Sequence, residues 1–332
     1  MSAAPLRCAF LGTPEPAVPA LRALAAAEDL AVEVVITNPD RPRDRGHRQT
    51  APPVKQAALD LDLPVWQPTK PRQVRDDLAA LDLDVAAVVA YGAILPADVL
   101  ATTRHGFVNL HFSLLPAWRG AAPVPHALLA GDTEIGVTCF RLDPGMDSGD
   151  VLLTAREPIH HDDTAGTVTQ RLAERGAPVL VDALRGLVRG TLTPQPQDHE
   201  QATLAPKIEP DDAQLDWQQP AAHVERAVRA FNPWPGAHTT LGERRVKVHA
   251  AEVVHAGEVA GDAASGLAAA AATAEPGAVV GADDAGPLVV CGDGALLRLR
   301  EVQPAGKARM DGRAFVNGYQ PQGQRLGASA GS

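Results

Sequence analysis

Cysteine is nearly absent from this chain, and that absence narrows the chemistry first. Three cysteines in 332 residues, Cys8, Cys139 and Cys291, are odd in number and far apart. They supply neither a disulfide framework nor a Cys-x-x-Cys metal pair, so they read as small buried filler. The eleven histidines form no His-x-x-x-His pair with a suitable carboxylate, and no metal is expected. Phosphate-cradling glycine patterns are missing as well. The first glycine turn reads Gly12-Thr13-Pro14-Glu15, with no Gly-x-Gly-x-x-Gly and no Gly-Lys-Ser/Thr, which removes the main support for a dinucleotide or P-loop site. No apolar run approaches the ~20 residues of a membrane span. The segment Met1-Ser2-Ala3-Ala4-Pro5-Leu6-Arg7 lacks a signal core. A soluble, cytoplasmic protein without membrane contact is expected, and nothing in the sequence suggests more than a monomer.

An excess of positive charge is lacking too. Forty acidic residues outnumber thirty basic ones, for a net charge of −10. Residues 221–332 balance at 11 of each sign, so the whole imbalance lies in residues 1–220. An acidic total argues against indiscriminate nucleic-acid binding, which depends on neutralising phosphates. It leaves room for a local basic patch. One candidate is Asn38-Pro39-Asp40-Arg41-Pro42-Arg43-Asp44-Arg45-Gly46-His47-Arg48, with four arginines against two aspartates. It reads either as a solvated surface loop or as a basic loop that grips phosphate.

What is present is an alternation of short apolar runs and helical stretches. Strands are predicted at Cys8–Gly12, Ala31–Thr37, Val65–Pro68, Asp84–Ala90, Phe107–His111 and Gly136–Leu142, separated by helices near Ala17–Ala27, Pro53–Leu61, Val74–Leu81 and Pro123–Ala130. Continuous apolar runs such as Val85–Ala90 suit strands buried on both faces. The alternation implies an α/β fold with a doubly wound sheet, closed by a long helix over Thr164–Arg189. The length suits two domains, here 1–190 and 211–320, with the polar, proline-containing segment 191–210 as linker. In the second, a short helix at Ala221–Phe231 precedes β-like runs at His238–Leu241, Arg245–Val254, Ala278–Val280, Leu288–Val290 and Ala295–Val302, the spacing of a small β-barrel. Gly257–Gly277 reads as an Ala/Gly-rich insertion without assigned role, and residues 321–332 as a disordered tail.

The chemistry concentrates in Phe107-Val108-Asn109-Leu110-His111-Phe112-Ser113-Leu114-Leu115-Pro116-Ala117-Trp118-Arg119-Gly120, a strand that stops in a proline turn. Alternate residues of a strand share a face, so Asn109 and His111 point the same way. They stand at a strand's carboxyl end, where open α/β sheets hold their ligands. Downstream, Asp143-Pro144-Gly145-Met146-Asp147-Ser148-Gly149-Asp150 brings a carboxylate in a glycine-flanked turn. Asn, His and Asp can together polarise a carbonyl, hold its oxyanion and move a proton. Ser113 lacks a Gly-x-Ser-x-Gly elbow and is no nucleophile.

The gapped pattern Asn-x-His-x-Ser-Leu-Leu-Pro-x-x-Arg-Gly, followed by Gly-x-Asp-x-Gly-Asp, resembles the signature of the 10-formyltetrahydrofolate-dependent formyltransferases. Phe10–Pro14, Asn38–Pro42, Pro53–Lys55, Tyr91–Pro96, Phe231-Asn232-Pro233-Trp234-Pro235 and Gln303–Lys307 are similar to segments of the methionyl-tRNA formyltransferases. That resemblance implies a Rossmann-like N-terminal half and an OB-like C-terminal half that helps hold tRNA. It implies formyl transfer from 10-formyltetrahydrofolate to the α-amine of methionyl-initiator tRNA. Asn109 and a protonated His111 would hold the oxyanion, with Asp147 orienting His111 and assisting proton transfer. Ser113, Leu114, Leu115 and Pro116, with Tyr91, Gly92, Ile94 and Leu95, would line the folate site. Arg41 and Arg45 would meet tRNA, although Arg43-Asp44 replaces the Ala-Gly commoner in the family. A second tRNA patch would include Lys247 and Lys307, together with Arg244, Arg245 and Arg309. A relative acting on an amino sugar or a nucleotide amine would keep Asn109, His111 and Asp147 without needing the basic loop. A catalytically inactive RNA-binding module would not need the three, and a nicotinamide oxidoreductase would need the missing glycine fingerprint.

Overall fold

Apolar runs buried on both faces form the centre of the first sheet in the computed structural model, which describes residues 4–43, 48–254 and 263–327. Strands β1 (Leu6–Gly12), β2 (Leu30–Ile36), β3 (Arg41–Arg43), β4 (Arg48–Thr50), β5 (Val65–Trp66), β6 (Val85–Val89), β7 (Phe107–His111), β8 (Glu134–Arg141) and β9 (Val151–Pro158) alternate with helices. These are α1 (Val18–Ala25), α2 (Pro53–Asp60), α3 (Arg75–Ala80), α4 (Ala97–Leu100), α5 (Pro123–Ala130) and α6 (Ala165–Val188). The sheet order is β5-β2-β1-β6-β7-β8-β9, with β3 and β4 pairing as a separate hairpin. The pairs from β5 to β7 are parallel, whereas β7–β8 and β8–β9 are antiparallel. The chain runs outward from β1 through β2 to β5, then returns to β6 on β1's other side. The carboxyl ends of β1 and β6 therefore flank a switch point, where the connecting loops diverge and leave a crevice.

Every residue of β6 is buried. One sheet face is built by Ala9, Leu11, Val34, Ile36, Ala86, Val88 and Phe107, packed with Leu78, Leu95 and Val99. Helix α6 follows the predicted span within a residue at each end. It approaches β7 and β8 so closely that a Cβ on Gly176 would lie 2.9 Å from Leu110 and 3.2 Å from Val137. The three cysteines are free and buried. Burial pushes the Cys8 and Cys291 thiols up to about 12 and raises Cys139 as well.

Two compact units emerge, with boundaries that differ from the sequence expectation. The first comprises residues up to Pro123, Thr133–Ile159 and Val168–Pro206; the second takes Val124–Asp132, His160–Thr167 and the chain from Lys207. Hydrogen bonds explain the two early excursions. Within the second unit Arg226 Nε donates to the Leu129 carbonyl, Arg229 Nη1 to that of Asp163, and Gly166 N to that of Asn232. The segment read as a linker is likewise not free. Gln195 pairs in both directions with Val151, and Arg119 N donates to Thr203 O while Ala205 N donates to Arg119 O.

The second unit holds α7 (Ala221–Ala230) and β10 (His238–Leu241), β11 (Arg244–Val254), β12 (Val279–Asp283), β13 (Gly286–Val290), β14 (Leu296–Pro304) and β15 (Met310–Asp311). The strands form an antiparallel sheet in the order β10-β11-β14-β13-β12, and β15 pairs with β14. Register shifts in the β11–β14 pair sharpen its bend, the device by which a sheet curls toward a barrel. Two helices complete the unit. The Ala/Gly-rich stretch expected to be an insertion contains α8 (Ala263–Thr273), whose Leu267 and Ala271, one turn apart, join Val254, Leu288, Val290 and Leu296 in a cluster. Helix α9 (Gly312–Tyr319) is capped by Asp311, whose carboxylate accepts from Ala314 N at 2.7 Å.

The tail departs from expectation up to Gly327. Arg325 bridges to Ala278, Leu326 bridges to Leu241 with 2% of its surface exposed, and Gly327 N donates to Thr240 O. Apolar burial and edge pairing hold it, despite its polar composition. Residues 328–332 lie outside the described residues. Leu326→Ala should lower the stability of the second unit by about 2–4 kcal/mol, as for other buried Leu→Ala changes. Urea unfolding checks this, and an unchanged midpoint would restore the disordered tail.

Candidate active site

Strand β7 ends where the alternation of side chains decides the chemistry. Asn109 pairs in register with Val88 on β6 and with Phe140 on β8, while His111 pairs with Thr138. Both side chains reach the same cavity of about 640 Å³, beside Asp147 and the Tyr91–Leu95 loop. Asn109 is half-buried, and its amide makes no side-chain hydrogen bond among the described residues, which leaves its donor free for a ligand.

His111 is 6% exposed. Its Nε2 lies 2.8 Å from the Trp118 carbonyl, which can only accept, so Nε2 carries the hydrogen. Its Nδ1 stands 3.7 Å from Asp147 Oδ2. Phe140 packs edge-on against the ring, with centroids 6.4 Å apart. Burial disfavours the imidazolium and lowers the pKa below 6.5; Asp147 and the Trp118 carbonyl oppose that shift without reversing it. That shift disfavours the protonated His111 expected from the sequence and favours a neutral ring with a lone pair on Nδ1.

Asp147 sits in a turn at φ 50°, a left-handed conformation that few residues other than glycine adopt without strain. Its Oδ2 accepts from Gly120 N at 2.8 Å. The turn between the cis Leu115–Pro116 bond and Gly120 therefore holds both partners, taking His111 on the Trp118 carbonyl and Asp147 on the Gly120 amide. Gly120 itself is at φ 123°, and a Cβ there would lie 2.6 Å from the Ala205 carbonyl oxygen. Behind them Gln197 Nε2 donates to the carbonyls of Asp147 and Gly149, both at 2.8 Å. Nothing in the sequence singled out Gln197.

Tyr91, Gly92, Ile94 and Leu95 line the cavity. The Tyr91 carbonyl accepts from Thr13 Oγ1 and from Asn38 Nδ2, each at 3.2 Å, tying this loop to residues that follow β1 and β2. Ile94 is 90% exposed, and with Met146 it offers apolar surface at the cavity wall. Ser113, Leu114, Leu115 and Pro116 are not among the residues that line this cavity. Ser113 is fully buried and donates from Oγ to Ala117 O at 2.6 Å, while Thr138 Oγ1 donates to Ser113 O and accepts from Leu115 N. Leu114 reaches toward Gly136, whose Cβ would come within 2.5 Å of it. The segment is scaffold for the turn.

The expected tRNA residues are scattered in their surroundings. Arg45 lies outside the described residues, as does the side chain of Arg41, whose backbone begins β3. Lys247 is half-buried on β11, and Lys307 is exposed in the turn after β14. Of the accompanying arginines, Arg244 lies 5.0 Å over the Tyr319 ring and Arg309 pairs with Glu301. Among the described residues no group of three His, Cys, Asp or Glu is placed to hold a metal ion. No described helix is long and apolar enough to cross a membrane.

Comparison with known proteins places this arrangement. Residues 6–184 match the formyl transferase family model, and residues 207–320 match the model for the formyl transferase C-terminal domain. The N-formyltransferase from Helicobacter canadensis, solved in complex with folinic acid and dTDP-3-aminofucose, shares the fold with a TM-score of 0.62 at 15% identity, over 89% of this chain and 98% of that one. HypX from Aquifex aeolicus, solved with tetrahydrofolic acid, gives a TM-score of 0.60 at 17% identity over 94% of this chain, which spans only 47% of HypX. Fold and site thus define an enzyme of the formyl transferase class. A curated relative, the methionyl-tRNA formyltransferase of Methylococcus capsulatus, is 45% identical over 97% of this chain and 100% of its own length. The chain belongs to the methionyl-tRNA formyltransferase family.

Gly120→Ala tests the turn directly. The added methyl meets the Ala205 backbone at an unfavourable φ, so the turn must shift and carry with it the Gly120 amide that donates to Asp147. The expected outcome is a lower melting temperature with formyl transfer reduced by about a hundredfold or more. Wild-type rates in a steady-state assay would show that the Gly120–Asp147 contact is dispensable.

Proposed function

We infer that this chain transfers the formyl group of 10-formyltetrahydrofolate to the free α-amine of methionyl-initiator tRNA, giving N-formylmethionyl-tRNA for translation initiation in the cytoplasm. The observation that carries this reading is likeness to a methionyl-tRNA formyltransferase across both units, rather than across the catalytic sheet alone. The cavity supports it. At about 640 Å³ it suits a drug-sized ligand, with apolar Val88, Leu110 and Leu142 around a few polar groups. The Tyr91–Leu95 loop, with Ile94 exposed, takes the folate side in this account.

The chemistry needs no enzyme nucleophile, because the substrate amine attacks the formyl carbon itself. The Asn109 amide donates to the formyl oxygen as it gains charge. The neutral His111 accepts the amine proton on Nδ1, its Nε2–H staying on the Trp118 carbonyl. Asp147, 3.7 Å away, stabilises the imidazolium that forms. As the bond from the formyl carbon to N10 breaks, His111 returns the proton to N10 and is neutral again. Arg41 and Arg45 in the basic loop, and Lys247 and Lys307 in the second unit, are the cations assigned to tRNA phosphates, with charge supplied locally in an acidic protein.

Formylation of methionine-charged initiator tRNA, compared with that of a small primary amine, tests the reading. Turnover with the charged tRNA is expected; turnover with the small amine alone would move the chain to a sister activity. Asn109→Ala should lower kcat by about 100- to 1,000-fold, as loss of one oxyanion donor does. The rate should also depend on pH in one direction. Only neutral His111 can accept the proton, and its pKa lies below 6.5. The rate should therefore hold steady just above that value and fall as pH drops below it. A rate that rises as the medium is acidified would contradict the base role.

A further inference from the structure

Arg119 is a buried cation without a carboxylate partner among the described residues, at 7% exposure. Such a charge leaves water at high cost unless strong acceptors replace the lost hydration. Its guanidinium donates twice to Gln197 Oε1, from Nε at 3.1 Å and from Nη2 at 2.7 Å, and Nη2 also meets His199 Nδ1 at 3.1 Å. Gln197 is itself 7% exposed. Its two N–H groups both go to the Asp147 turn, one to each of the carbonyls of Asp147 and Gly149. Every hydrogen-bonding position of this amide is filled.

The connections close into a ring. From Asp147 Oδ2 the ring passes to Gly120 N, along the chain to Arg119, across to Gln197, and back to the Asp147 carbonyl. Trp118, which holds His111, is the next residue in the same turn. A cation on the oxygen side of an amide draws electron density toward itself and makes the N–H side a stronger donor. The charge on Arg119 thus tightens the grip of Gln197 on a turn whose central residue has left-handed backbone.

We propose that Gln197 is a positioning residue, braced by Arg119, which holds Asp147 at its distance from His111 without touching either substrate. This rests on the proton-handling reading above. Two isosteric variants test it. Gln197→Glu keeps an acceptor for Arg119 and gains an ion pair, but it replaces the doubly donating Nε2 by one oxygen that repels the Asp147 and Gly149 carbonyls. Gln197→Met removes all four bonds.

Both variants should lower kcat by about a hundredfold, as misplaced catalytic groups do, with KM for the formyl donor and the charged tRNA within about twofold of wild type. The acid limb of the rate profile should move to lower pH, because a displaced Asp147 supports the imidazolium less. A purely structural role would lower the melting temperature and leave kcat and the acid limb in place. Wild-type kcat in a folded Gln197→Glu protein would overturn the proposal. Failure of both variants to fold would overturn it too, by assigning Gln197 to the fold alone. An inactive wild type, or an active His111→Ala, would instead refute the catalytic reading beneath it.

Discussion

The hydrogen bond from His111 Nε2 to the Trp118 carbonyl, 2.8 Å long, determines which nitrogen of a buried ring carries the proton. The rest of the catalytic arrangement depends on that choice. With Nε2 occupied, the lone pair belongs to Nδ1, the nitrogen nearer Asp147. Burial favours the neutral ring, and in the proposed mechanism the carboxylate is the counter-charge for the imidazolium made during the reaction. An imidazole in water would hold neither tautomer nor charge fixed. Here a strand end, a proline turn and a glycine amide fix both.

The fold supplies that arrangement by converging loops. The Tyr91 carbonyl takes donors from residues beyond β1 and β2, so the far wall of the cavity is fastened to the switch point of the sheet. The near wall includes Gly120, which ends a turn pinned from beneath by Ser113 and Thr138. Residues 195–205 then cross behind the turn and the Asp147 loop. A stretch that connects two units in sequence thus acts as part of the first unit's site.

Local patterns made much of this legible. The continuous apolar runs of β1 and β6 announced parallel strands, and apolar periodicity from Val168 to Leu187 marked α6 within a residue at each end. Asn109 and His111 were readable as a pair because the strand repeat of two residues puts them on one face. Strand β9 escaped notice because its apolar run, Val151-Leu152-Leu153, is short and gives way to a mixed, half-exposed stretch with Thr154, Arg156 and Glu157. Helix α8 escaped because a run of alanine and glycine carries little periodicity, and Leu267 and Ala271 acquire meaning only against distant strands. Ser113–Pro116 share a contiguous motif with Asn109 and His111 without sharing their cavity, because neighbours along the chain need not face the same space. Gln197 could not be read at all, being neutral, fifty residues beyond its partner Asp147, and meaningful only through tertiary hydrogen bonds.

The neutral, Nε2-protonated state of His111 is the centre of this account, and the ¹⁵N NMR shifts of that imidazole, followed against pH, measure it most directly. An Nε2–H tautomer at neutral pH and a titration midpoint below 6.5 are expected. A ring still charged at pH 7, or one carrying its single hydrogen on Nδ1, would contradict it.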